Sequence, residues 1–336
     1  MKVNREDVLI KLETIVPGIT TDDVIEQGNC FVFVDGQVVS FNDEVACFAK
    51  LDLGFEGAVQ AKLFLGLLRK MTEEIIDISL DESVIVVKGK RKKAKIVVEN
   101  DIVLGVEDIE SPEDWSKLDD DFSNALSTTI HCASKVESQF LLTCIHICPD
   151  CLEACDRYQI IKYPIVIDIS DNVLVKATSL RYVADMGMSE FSLTKNWIHF
   201  RNDDGSVFSC RIYNETFIKT ENHFNTTGDK VEFPKDLNKA ITTAAIFATD
   251  SNSDDVLKIK LTRSKMKVTG EGTSGVYTEV IPIDYEGKEI EFFIAPKFLS
   301  EVLKYSYECV VSKERLMVTT DKFKYATCCC HAPSGN

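Results

Sequence analysis

The 336-residue chain contains no stretch approaching the ~20 consecutive apolar residues of a membrane-spanning helix, which argues against an integral helical membrane protein. At the N-terminus Arg5, Glu6 and Asp7 stand in front of the apolar positions, so the uninterrupted core of a secretory signal is missing. Positive charge is also short. Lys and Arg number 38 against 54 Asp and Glu, a net charge of −16. Such a balance opposes general adhesion to nucleic acid or anionic membrane, and any contact of that kind needs a local basic surface or enclosure. Signatures of catalysis are lacking as well. There is no GxxxxGK[ST], and His131, His146, His199, His223 and His331 occur without a serine elbow or an HExxH pairing. Gly270-Glu-Gly-Thr-Ser-Gly275 matches GxGxxG, yet the strand-like Val276–Ile281 follows where a dinucleotide site needs a helix, so a hairpin loop is expected. Neither catalysis nor a cofactor is expected.

What is present points to a folded, intracellular protein. A hydrophobic fraction of 45% supports real cores, and at about 100–150 residues per domain the length suggests two or three of them. Twelve cysteines without an export signal read as reduced thiols of a cytoplasmic protein rather than a disulfide framework.

A long-period repeat sets the architecture. Ala61-Lys-Leu-Phe-Leu-Gly-Leu-Leu-Arg-Lys-Met71, Ala177-Thr-Ser-Leu-Arg-Tyr-Val-Ala-Asp-Met186 and Ala295-Pro-Lys-Phe-Leu-Ser-Glu-Val-Leu-Lys-Tyr305 each begin with Ala, continue at helical period, and start 116 and 118 residues apart. Two β-like runs follow each helix: Ile75–Leu80 with Val84–Lys88, Glu190–Leu193 with Trp197–Arg201, and Tyr307–Val311 with Arg315–Thr319. A further run closes each unit at Ala94–Val98, Val207–Tyr213 and Lys324–Cys329. An earlier helix precedes each, anchored by Val8 and Leu12, Leu126 and Ile130, and Leu237 and Ile241. Strands follow these too: Phe31–Val34 and Val38–Asn42, Phe140–Cys148 and Cys151–Cys155, Val256–Leu261 and Met266–Thr269. The expectation is an α+β chain of three repeated domains, 1–112, 113–218 and 219–336, each with two helices backed by antiparallel sheets. The acidic stretch Glu107–Asp121 and the polar stretch Thr216–Asp229 are the candidate linkers.

The order of these elements, the three repeats, and the phrase Phe140-Leu-Leu-Thr-Cys-Ile-His-Ile…Leu152-Glu-Ala-Cys-Asp156 with Tyr158 and Ile160 resemble the bacterial DNA polymerase III β sliding clamp. Phe33-Val-Asp-Gly-Gln-Val-Val-Ser-Phe-Asn-Asp43 and Phe292-Phe-Ile-Ala-Pro-Lys-Phe-Leu-Ser-Glu-Val-Leu303 extend the likeness over nearly the whole chain, in a divergent form of the kind a virus of bacteria carries. The resemblance implies a DNA-clamp fold and a head-to-tail homodimer closed into a ring, with helices lining a hole for duplex DNA and sheets outside. It implies a processivity factor that tethers polymerase and receives its clamp loader through a short linear motif.

The charges can be set beside that expectation. Phe64, Leu67, Leu68 and Met71 form one helical stripe while Lys62, Arg69 and Lys70 project elsewhere. Phe298, Leu299, Val302 and Leu303 repeat the stripe, with Lys297 and Lys304 opposite and Glu301 among them. Lys176 and Arg181 stand with Asp185, and Lys235 and Lys239 with Asp236. These nine basic residues outnumber three acidic ones, suiting an inner wall that holds phosphates without reading bases, although solvated surface helices show the same pattern. Lys88-Gly-Lys-Arg-Lys-Lys-Ala-Lys95 carries six more cations at an expected hairpin tip, a solvated turn or a phosphate contact.

For partner binding, the family's Ala-Thr-Asp-Gly-His-Arg-Leu falls on Ala154, Cys155, Asp156, Arg157, Tyr158, Gln159 and Ile160. Its strand leucine falls on Leu141, with Thr143 in place of Gly, and its C-terminal Met-Pro-Met-Arg on Cys328, Cys329, Cys330 and His331. Arg157 replaces Gly and Cys329 replaces Pro, yet Leu141, Tyr158, Ile160 and the soft cysteines can still form an apolar socket; ordinary packing is the other reading. A rival function uses Cys144, His146, Cys148, Cys151 and Cys155, whose knuckle-like Cys148-Pro-Asp-Cys151 spacing could hold zinc in an enzyme or a zinc-stabilised interaction protein. A second CxxC is missing, so the cysteines read first as small buried hydrophobes.

Overall fold

The structure, a computed structural model, describes residues 1–21, 25–106, 109–248 and 255–330. Among these the chain forms six α-helices: α1 (Arg5–Thr14), α2 (Ala61–Lys70), α3 (Phe122–Ile130), α4 (Ala177–Asp185), α5 (Leu237–Ala248) and α6 (Pro296–Tyr305). They pack as three pairs, α1 on α2, α3 on α4 and α5 on α6. The start of α1 follows from its first residues. The Asn4 side chain accepts from the backbone N–H groups of Glu6 and Asp7, and those two carboxylates complement the helix dipole. The helices α2, α4 and α6 each begin directly from an extended residue, Gln60, Lys176 and Ala295, without a side-chain cap. Burial of an apolar stripe holds them: Phe64 and Leu68 in α2, Leu180 and Val183 in α4, Leu299 and Val302 in α6, all nearly inaccessible to water.

The chain divides into two compact units. The first comprises Met1–Ile130, Cys144–Asp150 and Ile165–Glu215. It contains an antiparallel sheet of Lys2–Asn4, Ile75–Asp81, Val84–Lys88 and Lys93–Val97, and an eight-stranded one in the spatial order Gly57–Gln60, Cys30–Val34, Gln37–Phe41, Val45–Lys50, Val207–Arg211, Trp197–Asn202, Met188–Leu193, Ser116–Lys117. The second comprises His131–Thr143, Cys151–Pro164 and Thr216–Asn336. There Cys151–Cys155, Gln159–Pro164, Lys324–Cys328, Arg315–Thr319, Glu308–Val311 and Asp229–Glu232 lie side by side, while Gly275–Pro282, Lys265–Gly272, Leu257–Thr262 and Ile290–Ile294 form a separate four-stranded sheet. The α+β class read from the sequence is therefore what the chain adopts.

Three local expectations need correction. The strand placed at Phe140–Cys148 begins only at Cys144, and Glu137–Thr143 is a run of 3-10 turns in which the Thr143 hydroxyl donates to the Phe140 carbonyl at 2.6 Å. A hydroxyl bonded to its own backbone satisfies locally what a strand would satisfy across a ladder. The helix α5 begins at Leu237, leaving Lys235 and Asp236 in the preceding turn. The polar stretch Thr216–Asp229 is not simply a spacer. Phe217 and Thr220 are buried, the Thr220 hydroxyl donates to Glu153 at 2.7 Å, and Asp229 opens a strand. Glu107 and Asp108, in the other expected linker, and His331 lie outside the described residues.

The GxGxxG segment is a hairpin, as expected: Glu271 pairs with Val276 and Gly272 with Gly275. Its first glycine has a packing role. A Cβ at Gly270 would lie 1.9 Å from the Ala244 carbonyl oxygen of α5.

Candidate partner cleft and basic helix faces

A cleft of about 90 Å³ opens in the second unit beside the turn that joins Cys151–Cys155 to Gln159–Pro164. The Asp156 carboxylate builds the turn, accepting from the backbone N–H groups of Tyr158 at 2.7 Å and Gln159 at 2.8 Å, and from Gln159 Nε2 at 3.1 Å. The final strand locks it from the side. Cys328 N donates to the Tyr158 carbonyl at 2.7 Å, Thr327 Oγ1 donates to the same oxygen at 3.1 Å, and the Tyr325 hydroxyl donates to Gln159 Oε1 at 3.0 Å. Tyr158 is exposed and tilted against Phe298 at a ring separation of 5.5 Å. The outcome is an apolar floor of Ile160 and Ala326, with Ile218 and Tyr158 at its sides.

Of the residues aligned to a partner socket, Cys155, Arg157, Tyr158, Gln159, Ile160 and Cys328 line this cleft together. Leu141, Cys329 and Cys330 do not. Leu141 sits half-buried in the 3-10 segment, Cys329 N bonds to the Glu314 carbonyl, and Cys330 bridges to Phe293. Burial pushes the Cys155 thiol up to about 12, with Asp156 and Glu153 adding to the effect, and burial likewise pushes Cys329 up to about 12. Both are therefore neutral thiols near pH 7. Ile218 and His223 also line the cleft, as do Arg315, Ala326 and Thr327. Sequence reasoning missed the first two because they occupy a polar stretch between elements. The buried Phe217 beside them was the available signal.

The basic helix residues behave unequally. Lys62, Lys70, Arg181 and Lys235 are exposed. Arg69 is exposed too, but its Nε meets Glu13 of α1 at 3.0 Å, so the basic face of α2 carries one ion pair. Lys176 is drawn inward. Its Nζ lies 3.0 Å from Glu44, which also accepts from the Tyr213 hydroxyl. Burial, with that bond adding to it, raises the Tyr213 hydroxyl far above its ordinary range. Lys239 pairs with Asp236 in the turn before α5 and Lys304 with Glu301 within α6, while Lys297 lies over the rings of Phe298 and Tyr158. The cluster Lys88–Lys95 is a hairpin tip closed by Gly89 N donating to the Lys92 carbonyl, and Lys92 reaches Glu73 at 3.4 Å.

Of the residues considered for zinc, Cys144, His146 and Cys148 fall in the first unit and Cys151 and Cys155 in the second. Within the first, the Cys148 thiol lies 3.3 Å from His146 Nδ1. No described helix is long and apolar enough to cross a membrane.

No protein-family model matches the chain, and no curated protein matches it either. Solved structures do. The chain is similar to a DnaN sliding clamp (DNA polymerase III subunit beta) from Pseudomonas aeruginosa, bound to griselimycin, with a TM-score of 0.86 at 14% identity over 99% of each chain. A putative DNA polymerase III beta subunit from Eubacterium rectale gives 0.84 at 17% identity, over 98% of this chain and 99% of that one. The DNA polymerase III beta subunit of Thermotoga maritima gives 0.83 at 14% over 99% of both. With three helix pairs backed by antiparallel sheets and agreement from end to end, the chain has the fold of the bacterial DNA polymerase III β sliding clamps.

Proposed function

We propose that the protein is a DNA polymerase processivity factor, a ring that encloses duplex DNA and tethers polymerase to it. The observation that carries this reading is the fold similarity over the full length of both chains, since a ring needs every repeat. Residues 1–112, 113–218 and 219–336 serve as three clamp domains, each holding one helix pair. Two chains of 37.7 kDa then make a head-to-tail homodimer of about 75 kDa. Support for the closing contact comes from two outermost strands. Lys93–Val97 exposes Val97, and Gly275–Pro282 exposes Val276 and Val280, leaving sheet edges that pairing between chains would cover.

Lys62, Arg69, Lys70, Arg181, Lys235, Lys239, Lys297 and Lys304 face the DNA in this reading, holding phosphates without regard to sequence. Lys176 contributes less because Glu44 occupies it. The polymerase and the clamp loader dock through a linear motif in the cleft at Cys155–Ile160 and Cys328, with Leu141, Cys329 and Cys330 as outlying members of the site. Tethering raises processivity by local concentration, so the protein needs no catalytic step, and it works in the cytoplasm.

The decisive experiment is topological. Once loaded, the protein should stay on a closed circle as salt rises and slide off when the same DNA is cut. Equal retention on circular and linear DNA overturns enclosure. Light scattering should give about 75 kDa, and a monomer at micromolar concentration counts against a stable ring. The second reading, zinc on the Cys144–Cys155 hairpin, is supported by the close approach of the Cys148 thiol to His146. Metal analysis of the purified protein decides it, since roughly one zinc per chain is the tetrahedral-site expectation.

A further inference from the structure

The Cys155–Ile160 cleft combines an apolar floor with an uneven charge. Arg157 and Arg315 both line it, together with His223. In a chain of net charge −16, two arginines lining one cleft against a single carboxylate are a local reversal of sign. Arg157 is exposed. Arg315 is half-buried, and its Nη1 donates to the His223 carbonyl at 3.4 Å, which orients the guanidinium and leaves its other N–H groups available. The one carboxylate in the lining, Asp156, is consumed by the turn, accepting three hydrogen bonds from Tyr158 and Gln159.

We infer that the occupant of this cleft is an acidic peptide segment, with one aliphatic or aromatic side chain seated on Ile160, Ala326, Ile218 and Tyr158, and an Asp or Glu side chain beside it held by Arg157 and Arg315. The inference rests on the partner-cleft reading above and specifies the chemistry of what binds there. A guanidinium presents a planar fork matched to a carboxylate, and charge-assisted bonds of this kind are about twice as strong as neutral ones. A neutral peptide fills the floor but leaves both guanidinium groups covered without a counter-charge, which costs binding. The Arg157 position sharpens the point. The resemblance placed glycine there, so this chain adds a cation at the mouth of the site.

The test is fluorescence anisotropy on the full chain with two labelled, C-terminally amidated six-residue peptides. One carries a Leu-Phe pair with Asp on either side, and the other has Asn in both Asp positions. At about 50 mM salt the Asp peptide should bind at least ~10-fold more tightly, about 1.4 kcal/mol, and at about 500 mM the gap should shrink. Arg157→Glu with Arg315→Glu should abolish or reverse the gap between the two peptides. Arg157→Glu alone, an exposed change, should at least halve the ratio should Arg315 prove needed for folding. Equal binding of the two peptides overturns the acidic preference and leaves the cleft reading standing. Failure of both to bind, or to compete with polymerase, overturns the cleft reading itself. Tight binding of the Asn peptide only when its C-terminus is a free acid would overturn the side-chain carboxylate. An Asp preference unchanged by Arg157→Glu would place the attraction elsewhere on the molecule.

Discussion

The eight-stranded sheet of the first unit has two halves that meet where Val45–Lys50 pairs with Val207–Arg211, and they are built by different means. In the half formed by Gly57–Gln60, Cys30–Val34, Gln37–Phe41 and Val45–Lys50, the buried positions are filled by Phe31, Val32, Phe33, Val38, Val39 and Cys47. The one buried polar side chain among these strands is Ser40, which donates to the Ile15 carbonyl. In the other half a polar row crosses the sheet. Ser192 pairs with His199, and His199 pairs with Ser209, all of them buried. His199 Nδ1 lies 2.7 Å from the Ser209 hydroxyl and Nε2 lies 3.0 Å from that of Thr194, so both ring nitrogens are satisfied while the ring is neutral. Burial lowers the His199 pKa to about 4, with Glu110 partly opposing it. Both halves draw stability from area removed from water, the second through Phe191, Ile198, Phe200 and Phe208, but the buried histidine makes the second depend on a proton count as well.

The largest effect expected is in the apolar half. Phe31→Ala or Phe33→Ala should cost about 3–5 kcal/mol in denaturant unfolding, with the same loss at pH 5 and pH 8. Next comes acid. An unfolded histidine titrates near 6.5, so below that value the unfolded chain takes a proton that the folded one refuses. Stability from this group is therefore complete above about pH 6.5 and lost as pH falls toward 4, by roughly 3 kcal/mol in all. Unfolding midpoints of a His199→Gln variant should be flat in that window. A wild-type chain equally flat would show that His199 is charged in the fold.

At the seam the effects are smaller. Glu44→Gln weakens the bond to Tyr213 and leaves Lys176 without its counter-charge, which should cost about 1–3 kcal/mol. A double-mutant cycle with Lys176→Met measures how much of that is the pair. Asp43 and Arg211 also meet at the seam, but Asp43 is largely exposed and Arg211 retains its contact with the Trp197 ring at 4.8 Å. Asp43→Asn should therefore shift stability by less than about 1 kcal/mol, and added salt should erase the difference.

How far the chain could be read in advance follows the same division. The helical stripes of α2, α4 and α6 and the alternating strands beside them were legible, because burial acts at spacings of two to four residues and repeats with the fold. Lys176 was not. Its partner Glu44 lies 132 positions away, and local pattern alone placed the lysine on a basic face. His199 read as one of several scattered histidines, since nothing nearby in the chain announces that Ser209 and Thr194 would receive both of its nitrogens. The cleft was half legible. The Cys155–Ile160 turn and Cys328 stood out by resemblance, whereas Ile218 and His223 lie in a segment whose composition suggested only a connector.

The glycine at 270 carries a consequence for heredity. With the Ala244 carbonyl where a side chain would begin, every replacement must lift α5 from its sheet, so selection should hold this glycine as firmly as it would a catalytic residue. Lineages of this protein would then preserve part of the GxGxxG pattern for packing, and the invariance would record how near one helix backbone lies to one strand.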